Sequence, residues 1–430
     1  MRKIIIYLIS ALLSISALTA CNENNESNQK ANPNHLEIAV YAKNIYLENV
    51  AQEYMNINKG VEIDIITYQP DIKSSVVGTD ALYELATKDK VPENYVKAIN
   101  TSLMAEKGSD IIQMDVLPYY KYAKSGYLLN LNDFLSKDKD MLDELYPKMV
   151  DAMRYDGGLY AIPMDYTAYL LAGIGDMQGS SIDELISNAQ ALVKSNGKAT
   201  YLLKDVYSLF DILYEKNYPN LVNLQESVAN FDSEDFIEIL NECKKLSEEK
   251  MFPIKQNKDS ESNTYAINYD SVWTQDLLMP YFTGEDIYPN RFLAKDINGD
   301  GYFTTSTSFG INKNSQNSEL AWDFIKFMSS SKMQSMPSVF PINKIALDNG
   351  FKMDITQMLK DARLEKCDEV SSEYVKKIKA YSEQVSAFHF KDVIIENIVS
   401  QEVKKFFEGE TTADETAEII QQRVSLYFKE

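Results

Sequence analysis

Apolar residues recur along this chain in two rhythms. Residues 35–42 (HLEIAVYA) and 61–68 (VEIDIITY) are short runs rich in β-branched residues and bounded by polar segments, which predicts strands. Between them, YLENVAQEYMNIN sets Leu47, Val50, Ala51 and Tyr54 three and four apart, the spacing of one helix face. A strand over 110–115 (DIIQMD) follows, then a helix from Tyr119 that ends at Gly126. Strands separated by helices predict an α/β fold with a parallel, doubly wound sheet, whose binding loops lie at the C-terminal ends of the strands. Tyr41, Asp115 and Tyr119 fall on such loops.

Residues 157–173 (GGLYAIPMDYTAYLLAG) break the alternation, because Pro163 excludes a helix and favours an extended segment. The alternation then restarts. Ile182, Leu185, Ile186 and Ala189 mark one helix, and Phe236, Ile239, Leu240 and Cys243 another. TYAINYDSVW predicts a strand that runs into Trp273, and STSFGIN another over 306–312. In SELAWDFIKFMSS the helical face is Ala321, Phe324, Ile325 and Met328, which makes Trp322 a structural residue. The last helix opens with Thr412 and Glu415, a capping box, and turns Ile420, Val424 and Tyr427 inward. LLKDVYSLFDILY has the spacing of an amphipathic helix with Tyr207, Phe210 and Tyr214 on its core side.

The first 34 residues follow neither rhythm. Arg2 and Lys3 precede an apolar stretch, Ile4 to Ala20, that ends in small residues, the layout of a secretory signal. Leu18-Thr19-Ala20-Cys21 resembles a bacterial lipobox, which implies cleavage before Cys21 and a diacylglycerol on its sulfur. Two acyl chains anchor stably where one does not. Residues 21–34 (CNENNESNQKANPN) cannot bury enough apolar surface to fold and form a tether with a reach on the order of 20 Å.

Composition removes several functions. The net charge of −21, more negative still once Arg2 and Lys3 leave with the signal, contains no basic cluster, so nucleic acid is not a partner. With two histidines, His35 and His389, the chain has no HExxH, Cys-x-x-Cys or Gly-x-Ser-x-Gly motif and no phosphate-binding Gly-x-x-x-x-Gly-Lys loop. Neither an enzyme centre nor a cofactor or metal site is expected. Asp296, Asn298, Asp300 and Gly301 fit the start of a calcium loop, but position 12 is Thr307, so a turn is the simpler reading. Cys243 and Cys367 are expected as buried free thiols.

The order of segments resembles the family 1 extracellular solute-binding proteins, the sugar-binding lipoproteins of bacterial ATP-binding-cassette (ABC) importers. SDIIQMDVLPYYKYAKSGYLLNLNDFL, GGLYAIPMDYTAYLL, FGINKNSQNSELAWDFIKFMSS, FPINKIAL and QVSAFHF with EGETTADETAEIIQQRVSLYF carry the resemblance, from about residue 35 to 430. It implies a two-lobed periplasmic-binding-protein fold of type II with three hinge crossings. Lobe 1 would be 35–163 plus 307–343, and lobe 2 168–302 plus 347–430.

The resemblance also implies a ligand held in the cleft between the lobes. Trp273 would stack on a sugar face, with Asp205 and Tyr207 beside it on lobe 2; periodicity alone leaves Tyr207 equally at home in a core. Tyr41, Lys43, Asp115 and Tyr119 would serve on lobe 1, and Asp165, Tyr166 and Thr167 would line the first crossing. His389, in Phe388-His389-Phe390, stands where relatives place a stacking tryptophan or tyrosine. The implied protein is a monomeric, extracytoplasmic receptor, held to the membrane through Cys21, that passes a carbohydrate to an ABC permease. A ligand-sensing partner of a membrane kinase and a secreted glycan-active enzyme are the alternatives.

Overall fold

The computed structural model describes residues 32–69, 93–195, 199–253, 263–273, 277–336 and 340–429. The signal, Cys21 and most of the tether lie outside them. No helix among the described residues is long and apolar enough to cross a membrane.

Two five-stranded sheets organise the chain. The first has the order β2-β1-β3-β11-β4, built from β1 (His35–Ala42), β2 (Glu62–Gln69), β3 (Ile111–Gln113), β4 (Ile162–Pro163) and β11 (Ser308–Ile311). β1 runs parallel to both neighbours, with His35 opposite Glu62 and Ile38 opposite Ile111. Leu36, Ile38, Ala39 and Val40 are all fully buried, as expected of a strand covered on both faces. The helix Ile45–Ile57 covers it with the predicted Leu47, Val50, Ala51 and Tyr54, and the Asn44 side chain caps its start.

The second sheet runs β12-β10-β5-β8, with β9 also on β5; its strands are β5 (Thr167–Gly173), β8 (Ile267–Ser271), β9 (Phe292–Leu293), β10 (Gly301–Thr304) and β12 (Val385–Phe388). Here β5 is antiparallel to β8, β9 and β10, and only β10 and β12 run parallel. Both sheets are therefore mixed, since β11 also returns antiparallel to β3 and β4. Apolar alternation reveals that a strand exists but is the same in either direction. A short hairpin, β6 (Val222–Asn223) with β7 (Val228–Ala229), follows the helix Val206–Leu221.

The chain passes between the sheets from β4 to β5 and again from β10 to β11. Asp165 fastens the two passages. Its carboxylate accepts hydrogen bonds from the Ser306 and Thr307 backbone N–H groups and from the Thr305 and Ser306 hydroxyls. Farther on, the helices Lys352–Asp361 and Cys367–Ser382 bury Leu359, Val370, Tyr374 and Ile378 in the same core as the first sheet, before β12 joins the second. A separate core around Phe210, Phe236, Tyr302 and Ile395 lies under the second sheet.

Cys243 and Cys367 are buried and unpaired. Trp322 is a core residue, stacked on Phe134 at 5.3 Å with its indole N–H on Asp138. The capping box forms as predicted: Glu415 N–H donates to Thr412 Oγ1, and Thr412 N–H to Glu415 Oε2.

Candidate functional site

A cavity of about 400 Å³ opens where the helix Tyr119–Lys124, which follows β3, faces the end of β12 and the β6–β7 hairpin. Its aromatic walls are Tyr120, Tyr218, Phe388 and Phe390, and its polar rim includes Glu226, Asp296, Asn298 and Asp300. A smaller hollow of about 160 Å³ shares Tyr120, Leu224 and Phe390 with it and adds Lys121, Lys124 and Asp392. Tyr120 and Phe390 meet edge to face at 6.0 Å, so elements of both sheets touch here.

His389 sits in the cavity wall. It is 2% exposed, stacks parallel on Tyr302 at 4.5 Å and leans on Tyr218 at 4.8 Å. Its Nδ1 is 3.0 Å from Glu215 Oε2; its Nε2 faces Asp296 Oδ2 at 3.6 Å and has no hydrogen-bond partner. Behind it lies a buried charge network. Lys391 pairs with Glu215, lies 3.8 Å from Glu396 and rests over the rings of Tyr214 and Tyr218 at 4.9 and 4.8 Å. Burial would raise the Glu215 carboxyl, but the Lys391 charge and the His389 hydrogen bond outweigh it and hold the group at about 2. Asp211 goes the other way: burial first, then repulsion from Glu215, lifts it to about 7. Burial likewise raises Glu396 and Asp392. Burial would depress Lys391, yet Glu215 and Glu396 keep it above its ordinary value.

The turn over Asp296 to Asp300 positions the opposite rim. Asp296 Oδ1 accepts from the Asn298 and Asp300 N–H groups, and Asp300 Oδ1 accepts from the Ser386 hydroxyl. The Asn-Gly-Asp sequence thus builds a turn, with Gly299 at φ +85° supplying the left-handed residue. Among the described residues, no group of three His, Cys, Asp or Glu side chains could hold a metal ion.

Of the residues singled out from sequence, His389 lines the larger cavity. Trp273 does not reach it. The indole is 6% exposed, donates to the Tyr166 carbonyl and stacks on Phe340 at 4.9 Å, the setting of a core residue. Tyr166, fully buried, bonds through its hydroxyl to Ser382, and Thr167 is buried in β5. Asp165 is spent on the crossing, and Asp115 on the Ser308 N–H and the Gln113 amide. Burial raises both carboxyls.

Tyr119 is buried and donates to the Met153 carbonyl, while Tyr41 packs against Tyr95. Lys43 is exposed and pairs with Glu48. Asp205 caps the helix Val206–Leu221 by accepting from Ser208 N–H. Tyr207, two residues on, is 42% exposed and meets Phe407 edge to face, whereas Phe210 and Tyr214 are buried. Tyr120, Tyr218, Glu215 and Lys391 are not marked out by any motif in the sequence. The spacing of Tyr214 and Tyr218, one turn apart on a helix, was the one local sign available.

The profile of the bacterial extracellular solute-binding proteins matches residues 44–335. No curated protein matches. Among solved structures, a maltose/maltodextrin-binding domain of Bdellovibrio bacteriovorus bound to maltotriose is similar at 14% identity, covering 92% of this chain and 100% of that one, with a TM-score of 0.54. A substrate-binding protein of Listeria monocytogenes in complex with cycloalternan follows at 16% identity, 92% and 99% coverage and a TM-score of 0.54. An oligogalacturonide-binding protein of Yersinia enterocolitica reaches 15%, 92%, 99% and 0.57. At these identities the likeness shows the fold: two-lobed, mixed α/β, of the maltodextrin-binding type.

Proposed function

The chain belongs to the bacterial extracellular solute-binding protein family, and from that premise we propose that it is a lipid-anchored receptor that captures an oligosaccharide and delivers it to an ABC permease. The observation that carries the carbohydrate reading is the cavity of about 400 Å³ walled by Tyr120, Tyr218, Phe388 and Phe390, with carboxylates and amides on its rim. A pyranose offers an apolar C–H face to such rings and hydroxyls to such a rim. The ligands of the structural neighbours, maltotriose, cycloalternan and an oligogalacturonide, belong to the same chemical class.

Capture is a population shift. Tyr120 is carried by the first sheet's elements and His389 and Phe390 by the second's, so a ligand touching both favours the closed arrangement over an open one. The hinge runs through the crossings near 163–167 and 303–306, where Asp165 holds the two strands in register. Cys21 carries the lipid that keeps the receptor on the outer face of the membrane. The ligand leaves unchanged, since the site is built to bind and release.

A thermal-shift screen of the mature chain against a glycan panel tests this. An oligosaccharide at 100 times its dissociation constant adds about 2.7 kcal/mol of stability and is recovered intact. A panel without a hit, or a hit that is hydrolysed, removes the reading. Replacement of Cys21 by Ser should release the protein to the medium, and retention would remove the anchor.

A further inference from the structure

Contact between elements of the two sheets does not end at the larger cavity. The helix Tyr119–Lys124 belongs with the first sheet, and its Tyr119 and Tyr120 rings meet Phe390, beyond β12, at 6.3 and 6.0 Å. In the smaller hollow the same helix sets Lys121 Nζ 5.3 Å from the ring centre of Tyr427. Tyr427 is the last residue of the helix Ala413–Tyr427, which packs Ile420 and Val424 into the core under the second sheet. The ring is held from its far end as well. Tyr427 Oη donates to Asp392 Oδ2 at 2.8 Å, and Asp392 caps the helix Val393–Phe407 by accepting from the Ile394 and Ile395 N–H groups. Burial raises the Asp392 carboxyl, and the Lys121 charge acts against that rise.

A cation above an aromatic face is attracted by the ring's negative face. Here the cation and the ring come from elements of different sheets, and neither is among the described residues that line the larger cavity. Tyr120 and Phe390 also meet across the gap, but they wall that cavity, so their loss would mix closure with ligand contact. Resting on the hinge-closure reading above, we propose that Lys121 and Tyr427 form a latch between the lobes that favours the closed arrangement and so tunes carbohydrate affinity without touching the carbohydrate. Both are positioning residues. The apparent affinity of a form that is only partly populated falls in proportion to its population, so the latch moves population and affinity together. Lys121 is exposed, which sets the size of the effect at about two- to fivefold.

The test is double electron–electron resonance on the mature chain carrying Cys21→Ser, with spin labels at Asp133→Cys and Glu238→Cys and no glycan added. Both sites are exposed, the first on the helix Asn132–Lys137 and the second on the helix Glu234–Glu248, which pack in different cores, while Cys243 and Cys367 are buried. The ratio of near to far label distances should fall about two- to fivefold in Lys121→Met and in Tyr427→Leu. Lys121→Arg and Tyr427→Phe, which keep a cation and a ring face, should preserve it. Lys121→Met combined with Tyr427→Leu should fall no further than Tyr427→Leu alone. An unmoved ratio in Lys121→Met, or a fall in Lys121→Arg as large as in Lys121→Met, overturns the latch. Losses that multiply in the double variant overturn the pairing of the two residues. Because no glycan enters the measurement, either result leaves the carbohydrate reading standing, and an empty glycan panel leaves the latch standing.

Discussion

Asp165 and Glu215 are two carboxylates withdrawn from water and satisfied in opposite ways. Asp165 is surrounded by neutral donors from the crossing strand, two backbone N–H groups and two hydroxyls. Glu215 is answered by a full charge, Lys391, and by His389, whose far nitrogen faces Asp296 at 3.6 Å. The first arrangement is complete in itself and serves to fasten strands. The second joins the helix Val206–Leu221, the segment after β12 and the turn at Asp296 through charge, in the wall of the cavity. Buried polar groups in this fold thus differ by what answers them, neutral donors at the crossing and charged partners at the cavity, more than by how deeply they sit.

The sharpest way to break the contrast is to remove the charge from one region. Lys391→Met leaves Glu215 buried beside Glu396 and Asp211 without a counter-ion, and should destabilise the protein by about 3–5 kcal/mol in urea denaturation. Adding Glu215→Gln to that variant should recover a large part, because the two groups form one unit. An additive double variant would show that they are not coupled. Trp273→Ala should have a comparable effect, about 3–5 kcal/mol, since it empties a core stack between Tyr166 and Phe340. A stable Trp273→Ala protein that merely loses ligand would restore the indole to the site.

Asp165→Ala should cost less, about 2–3 kcal/mol, because it strands the Ser306 and Thr307 N–H groups without removing a charge pair. Unchanged thermal stability would mean the crossing holds without its clasp. The pH profile separates the two carboxylates in another way. Glu215, depressed to about 2, contributes stability that is present above its unfolded value of 4.5 and is lost as the pH falls towards 2. Asp211, raised to about 7 from 3.8, imposes a penalty that grows as the pH climbs between those values. Together they place the stability maximum contributed by this cluster on the acidic side of neutrality. Asp211→Asn should flatten the limb between about pH 4 and 7, measured as denaturation midpoints against pH. A variant with an unaltered limb would assign it to other groups.

How much of this was legible in the sequence follows from the range of each interaction. The helix Ile45–Ile57 and its buried face, the capping box at Thr412 and the turn before β10 are all settled within a few residues, and periodicity exposes them. The helices Cys367–Ser382 and Val393–Phe407 carry periodic apolar faces too. Strand direction left no trace, as β5 shows, since alternation is blind to it. The site was hardest to see. Lys391 and Glu215 are 176 residues apart, and only the fold brings Tyr302, Tyr218 and His389 into one stack.

Trp273 illustrates the same limit from the other side. A tryptophan at the end of a strand carries a ring that suits a sugar or a core equally, and what decides is a carbonyl 107 residues away, that of Tyr166. Tyr207, Phe210 and Tyr214 share one helical spacing, yet Tyr207 is exposed and the others are buried. Asp205 and Asp115 read as ligand partners because short acids next to strand ends often are. Here both accept from backbone N–H groups, Asp205 from Ser208 three residues on and Asp115 from Ser308, 193 residues away.

The most direct test of the account is calorimetric titration of the strongest glycan from the panel into the wild-type chain and into Tyr120→Ala and Trp273→Phe. One saturable site is expected in the wild type. Tyr120→Ala, which removes a cavity wall, should weaken binding by at least about tenfold, and Trp273→Phe, which keeps the core filled, should bind as the wild type does. Binding that is indifferent to Tyr120 and lost with Trp273 would contradict the placement of the site.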